Sequence, residues 1–256
     1  MTTLHDKALH EAVSAVSASG TFAFTARNVY YELVRRGAWA APTRAPREEL
    51  LSFRHALDQY ENKHQRIGGL IRAHEARAAV PPPHAPDVFD YSVRRVLVFD
   101  RVETFLLFAV NGFHRKIEVA LLACDATRDD ASFFPAHVAR RLERQLEGGL
   151  RTAFYLVHDA NRRGRKLRSR TRSHLIEHGK PRIADVGLTF AQAFQLGIPV
   201  RTGAEKRVET RGPEALEEDL LLASGNYAHL EDMPPMPLMR WAHERVSRGA
   251  EELGFG

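Results

Sequence analysis

Apolar positions recur at helical spacing through residues 4–18, LHDKALHEAVSAVSA, and the pattern stops before Ser19-Gly20, which predicts a helix ending there. A second helix is predicted over ARNVYYELVRR (26–36), with Thr25 as its N-cap and Gly37 closing it. Residues 46–79 repeat the helical pattern with a break at Gly68-Gly69. The segment VPPPHAPD (80–87) then ends any helix, because proline has no amide hydrogen to donate and clashes with the preceding turn. Three consecutive prolines make a stiff connector, so a domain boundary is expected there. Residues 1–82 are expected to form a small all-helical or winged-helix unit, and 83–256 a second domain.

Beyond the prolines the periodicity changes. RRVLVF (94–99), KIEVALLAC (116–124), TAFYLVH (152–158) and RIADV (182–186) are short apolar runs rich in β-branched and aromatic residues. Between them lie segments with helical spacing, including FFPAHVARRLERQLEGG (133–149) and the basic run after Gly164. Continuous apolar strands alternating with helices predict an α/β domain with a mainly parallel sheet covered on both faces. Ligands of such sheets bind at the carboxyl ends of the strands, which directs attention to Asp100, to the loop after Cys124 and to the residues after His158.

The strand VLVF runs into Asp100, with Glu103 three residues later, and FYLVH runs into DANRRG, which contains Asp159 and Asn161. Oxygen side chains at neighbouring strand ends can converge on a magnesium ion, which prefers hard ligands and keeps waters for phosphate substrates. Each residue taken alone also fits a turn or a helix cap. From Arg162 to Arg172 seven of eleven residues are basic, Arg162, Arg163, Arg165, Lys166 and Arg168 among them, and no acid stands between Asp159 and Glu177. Such a face suits nucleic-acid phosphates, with Leu167 and Thr171 turned to the sheet.

On the second helix, Ala26, Tyr30, Leu33 and Gly37 share one stripe and Arg27, Tyr31 and Arg35 another. Tyr30 is therefore expected to pack in the core, and Tyr31 to lie open to solvent between two guanidinium groups. A phenol becomes a nucleophile only when positive charge stabilises its anion or a base removes its proton, and Arg27 and Arg35 suit the first task or contact with a DNA phosphate.

Composition bounds these expectations. The 256 residues are 44% hydrophobic and 27% charged, enough for two compact units, and the net charge of +5 makes a polyanionic partner plausible. A single cysteine, Cys124, excludes an intramolecular disulfide framework and a zinc ribbon and suggests a reducing cytoplasm. No apolar run reaches the roughly 18 residues that a membrane span needs, so a soluble protein with no membrane partner is expected. His174 and His178 stand at i, i+4 without the glutamate of a metalloprotease helix. The acid-rich stretch 212–225 fits a helix away from DNA or a contact for a basic partner.

FTARNVYYELVRRG (24–37) resembles the segment around the reactive tyrosine in the A subunits of type IIB topoisomerases (topoisomerase VI) and in the related meiotic double-strand-break transesterase. In that family an arginine, two variable residues and an aromatic precede the tyrosine, a pattern that falls on Arg27 and Tyr31. VLVFDRVETF and YLVHDANRRG look like the first strand and the Asp-x-Asp-x-x-Gly motif of a Toprim domain. The resemblance is to small bacterial stand-alone versions of the subunit and covers most of the chain. It implies a winged-helix domain followed by a Toprim (Rossmann-like) domain with a C-terminal helical extension, magnesium held by Asp100 or Glu103 with Asp159 and Asn161, and double-stranded DNA as partner. It further implies a homodimer, 5′-phosphotyrosyl ends and a nucleoid location. A separate ATPase subunit is a further partner it suggests, since no phosphate-binding loop is present. Three positions depart from the family: Asp100 for glutamate, Asn161 for the second aspartate, and His229 where AHLEDMPP would carry an acid before Glu231 and Asp232. Two functions follow, metal-assisted DNA cleavage by Tyr31 or DNA binding without cleavage.

Overall fold

The computed structural model describes residues 4–40, 46–72, 94–123, 152–176, 182–203 and 217–253. In chain order these form α1 (Asp6–Val16), β1 (Phe24–Thr25), α2 (Ala26–Arg35), α3 (Pro46–Lys63), β2 (Leu70–Ile71), β3 (Arg95–Phe99), α4 (Val102–Val110), α5 (Phe113–Ile117) and β4 (Ala120–Ala123). They continue with β5 (Ala153–Val157), α6 (Arg162–Ile176), β6 (Arg182–Asp185), α7 (Phe190–Gln195), β7 (Arg201–Thr202), α8 (Glu217–Ala223), β8 (Asn226–Tyr227), a 3-10 turn (Leu230–Asp232) and α9 (Pro235–Glu252). No helix among the described residues is long and apolar enough to cross a membrane.

The chain divides into two compact units, 1–71 with 189–238, and 72–188 with 239–256. A single cut at the prolines had placed 189–238 with the sheet; the ion pair of Glu231 with Arg27 and the bond of Arg35 to the Asp232 carbonyl, described below, link this stretch to residues 1–71. The prolines and Cys124 lie outside the described residues, as do 133–149, His178 and 212–216, while 217–223 form the helix α8.

In the first unit, Leu9, Ala12 and Val16 of α1 are buried at helical spacing with Val29, Tyr30 and Leu33 of α2 and Phe53 and Leu57 of α3. Thr25 caps α2 through a reciprocal pair: the Asn28 amide donates to Thr25 Oγ1 (3.3 Å) and the Thr25 amide donates to Asn28 Oδ1 (2.9 Å). Gly37, at φ +67°, takes the left-handed position just beyond the helix. The helix expected before the break at Gly68-Gly69 ends at Lys63, and Leu70–Ile71 pair with β1 in parallel, Phe24 opposite Leu70; residues 73–79 lie outside the described residues. Gly69 makes that possible: its φ is +78°, and a Cβ there would lie 3.2 Å from the Phe24 ring.

The second unit is α/β. Its sheet is parallel throughout, in the order β4-β3-β5-β6, with Val98 opposite Leu122 on one side and Leu156 on the other. All of β5 and Val96–Phe99 of β3 are buried, which is why both read as unbroken apolar runs. The run 116–124 is strand only from Ala120. Phe113 and Ile117, both buried, sit at i, i+4 in α5, which starts after left-handed Gly112 and stops at left-handed Glu118. Leu167 and Thr171 of α6 are fully buried, as the spacing predicts. The strand order reverses between β3 and β5, so a crevice for a ligand is expected at their carboxyl ends.

Candidate functional site

Each unit brings together one set of the predicted residues. In the first, Tyr30 is buried as expected; burial, followed by the Glu49 charge, raises its phenol above the ordinary range. Tyr31 departs from expectation: it is only 4% exposed rather than open to solvent. The guanidinium it meets is that of Arg201, whose Cζ lies 4.4 Å from the ring centroid, and its ring stacks on His229 at 6.0 Å. Arg201 is itself clamped by Asp232 through two hydrogen bonds of 2.6 and 2.8 Å.

The arginines on the tyrosine helix have other partners. Arg27 lies 3.2 Å from Glu231, a carboxylate with no exposure, which also accepts from Thr25 Oγ1 at 2.9 Å. Arg35 donates to the Asp232 carbonyl and to Glu32. Asn28 donates to the Glu231 and Met233 carbonyls at 2.9 and 3.0 Å. The LED segment therefore anchors the whole N-terminal half of α2. Helical spacing separates the stripes of Tyr30 and Tyr31, but it carries no information on partners about 170 to 200 residues away.

In the second unit, Asp100 and Asp159 meet at the carboxyl ends of β3 and β5, with 1% and 0% exposure. Burial, then the charge of Asp159, drives the Asp100 carboxyl up to about 7, against the opposing charges of His158, Arg101 and Arg163. Arg101 lies 3.8 Å from Asp159 Oδ2 and 3.7 Å from Glu103. Asn161 does not present an oxygen here. Its Oδ1 accepts the Gly164 amide at 2.9 Å, the N-cap bond of α6, and its Nδ2 faces Asp159 at 3.4 Å. The orientation of the amide is set by that bond, since a backbone N–H donates only to oxygen.

Two residues that sequence reasoning left without a role complete the pocket. His158 follows β5 and Asp185 ends β6, a strand end that the carboxyl-end rule also covers. His158 Nδ1 donates to the Asp159 carbonyl at 2.8 Å and Nε2 to Asp185 Oδ1 at 2.9 Å. Burial alone would lower its pKa, but the hydrogen bond and charge of Asp185 outweigh it and raise it to about 9. The ring lies between two glycines: a Cβ on Gly164 would come within 2.4 Å of it, and one on Gly187 likewise.

Both shifts mean that the native state holds protons more tightly than the unfolded chain, so both contributions to stability decline as pH rises. The His158 contribution is complete below its ordinary value of about 6.5 and is lost as pH passes about 9; that of Asp100 declines between its ordinary value and about 7. Urea midpoints are therefore expected to fall from pH 6.5 to pH 9, and His158→Asn to flatten that interval. A midpoint rising over the same interval in the native sequence contradicts the assignment.

A magnesium ion does not fit this pocket as the sequence motif suggested. The Asn161 oxygen is engaged, and Arg101, Arg163 and the His158 imidazolium already supply positive charge. Among the described residues no group of three His, Cys, Asp or Glu side chains is arranged to hold a metal ion. On the adjoining helix, Arg165 and Lys166 are exposed and Arg162 and Arg163 half-buried, while the side chain of Arg168 lies outside the described set. Comparison of the chain with protein-family models, with curated proteins and with solved structures gave no match.

Proposed function

We propose that this chain is a DNA-binding protein of the topoisomerase VI A-subunit kind, with a winged-helix unit and a Toprim-like unit, that holds duplex DNA without metal-dependent cleavage. The observation that carries the reading is the Asn161 cap: one contact takes an oxygen away from the acid pocket and starts the basic helix α6 beside it. That helix then offers Arg162, Arg165 and Lys166 to phosphates with no acid in its sequence to oppose them. A homodimer, and an ATPase subunit in a separate chain, belong to the same proposal.

Fluorescence anisotropy on duplex DNA tests it. Arg165→Gln with Lys166→Gln is expected to weaken binding on every sequence and to reduce the slope of log K against log salt by about 2, one for each phosphate contact. Chelator is expected to leave affinity unchanged; an affinity that collapses with EDTA, or a slope unaffected by the two substitutions, overturns the reading. The cleavage alternative draws on the guanidinium of Arg201 over Tyr31. Denaturant trapping with supercoiled DNA and magnesium decides between them: covalent complexes abolished by Tyr31→Phe but not by Tyr30→Phe would replace binding with transesterification.

A further inference from the structure

We propose that the pocket at the carboxyl ends of β3 and β5 is a closed ion cluster, in which the His158 imidazolium and the Arg101 guanidinium stand in the place of a divalent cation. This deepens the DNA-binding reading and rests on it for the meaning of the pocket, but its geometry stands on unit two alone.

The first support is the hydrogen-bond pattern of the imidazole. The Asp159 carbonyl accepts only and the Asp185 carboxylate accepts, so both ring nitrogens carry hydrogen and the ring is a cation. Charge-assisted bonds of this kind at 2.8 and 2.9 Å hold a ring with 8% residue exposure in one orientation. Gly164 and Gly187 form the two walls, and either wall would collide with the ring if it carried a side chain. The cation is thus built in, with glycine at both backbone positions where a Cβ would strike the ring.

The second support is the position of Arg101. Its side chain is 12% exposed, and its two terminal nitrogens reach Asp159 and Glu103, the strand-end carboxylate and the acid that follows β3. A divalent ion approaching Asp159 would meet this guanidinium and the neighbouring imidazolium, and the Asn161 side chain turns its amide nitrogen rather than its oxygen to the Asp159 carboxylate. The cluster also orders the turn into α6: His158 holds the Asp159 carbonyl, and two residues later Asn161 caps the helix. The basic helix is thereby positioned without an exchangeable ion.

The test uses the full chain, stripped with chelator, and manganese as the probe, read by the free-ion EPR signal and by thermal unfolding at constant ionic strength. The native sequence is expected to bind no manganese and to show no rise in Tm at millimolar ion. Arg101→Gln, which keeps Asp100 and Asp159 but removes the guanidinium, is expected to gain stoichiometric manganese binding and a Tm rise of several degrees. Adding Asp159→Asn should abolish that gain. Stoichiometric binding by the native sequence that is lost in Asp159→Asn overturns the proposal, as does a folded Arg101→Gln that gains nothing. Should Arg101→Gln fail to fold, the native titration with its Asp159→Asn control decides alone. Because no DNA is present, these outcomes are separate from those of the anisotropy experiment.

Discussion

Gly187→Ala is expected to destabilise the sheet unit by about 3 kcal/mol or more, at the upper end of overpacking costs, and to lower its Tm by roughly 6 to 12 °C. The new Cβ would lie 2.4 to 2.5 Å from three atoms of the His158 ring, nearer than non-bonded carbon ever approaches. Side-chain movement would normally relieve such a clash, but this ring is buried and held at both nitrogens, so relief requires breaking the bond to Asp185 or to the Asp159 carbonyl. Backbone conformation is not the obstacle, because Gly187 is not among the glycines with positive φ. A double-mutant cycle isolates the cause. In a His158→Ala background the same Gly187→Ala change should cost less than about 1 kcal/mol, and an equal cost in both backgrounds would refute the slot.

Glu231→Ala should have a comparable effect in the other unit, about 3–5 kcal/mol by chemical denaturation, because it removes one member of a buried ion pair. Arg27, with 11% side-chain exposure, would lose the carboxylate 3.2 Å away, and Thr25 Oγ1 would lose its acceptor at 2.9 Å and keep only Asn28 Oδ1 at 3.0 Å. Thr25 is the N-cap of α2 and Arg27 stands in its first turn, so the tyrosine helix should fray from that end. Replacing the pair together, Arg27→Met with Glu231→Leu, should recover most of the loss, since no uncompensated buried charge remains. Recovery by less than about a third would mean that Arg27 has a role the ion pair does not capture.

These two sites show how unevenly structure was legible in the chain. Thr25 as the cap of α2, Gly37 beyond its end and the burial of Leu167 and Thr171 follow from contacts within a few residues, and spacing alone predicts them. The central strands β3 and β5 were legible for a similar reason, since strands buried on both faces need unbroken apolar runs. Residues 116–119 were not, because a helical pair, Phe113 and Ile117, precedes the strand and the left-handed residue Glu118 separates them. Asp100 and Asp159 could be placed at neighbouring strand ends, but the task of Asn161 could not be read: capping and ligation call for the same side-chain oxygen, and only the Gly164 amide settles which it performs.

By itself, then, the sequence determined part of the local order of this protein: the cap and end of α2, the apolar runs of the central strands, and that acids at strand ends adjoin a run of arginines. Only the tertiary structure decided which charge meets which. Tyr31 shares a helix stripe with Arg27 and Arg35, yet it is covered by Arg201 and His229, while Arg27 turns to Glu231. Helix and strand periods are fixed by backbone geometry over a few residues, whereas an ion pair forms wherever two side chains come within a few ångströms in space. Partners separated by some two hundred positions leave no periodic trace in the chain that carries them.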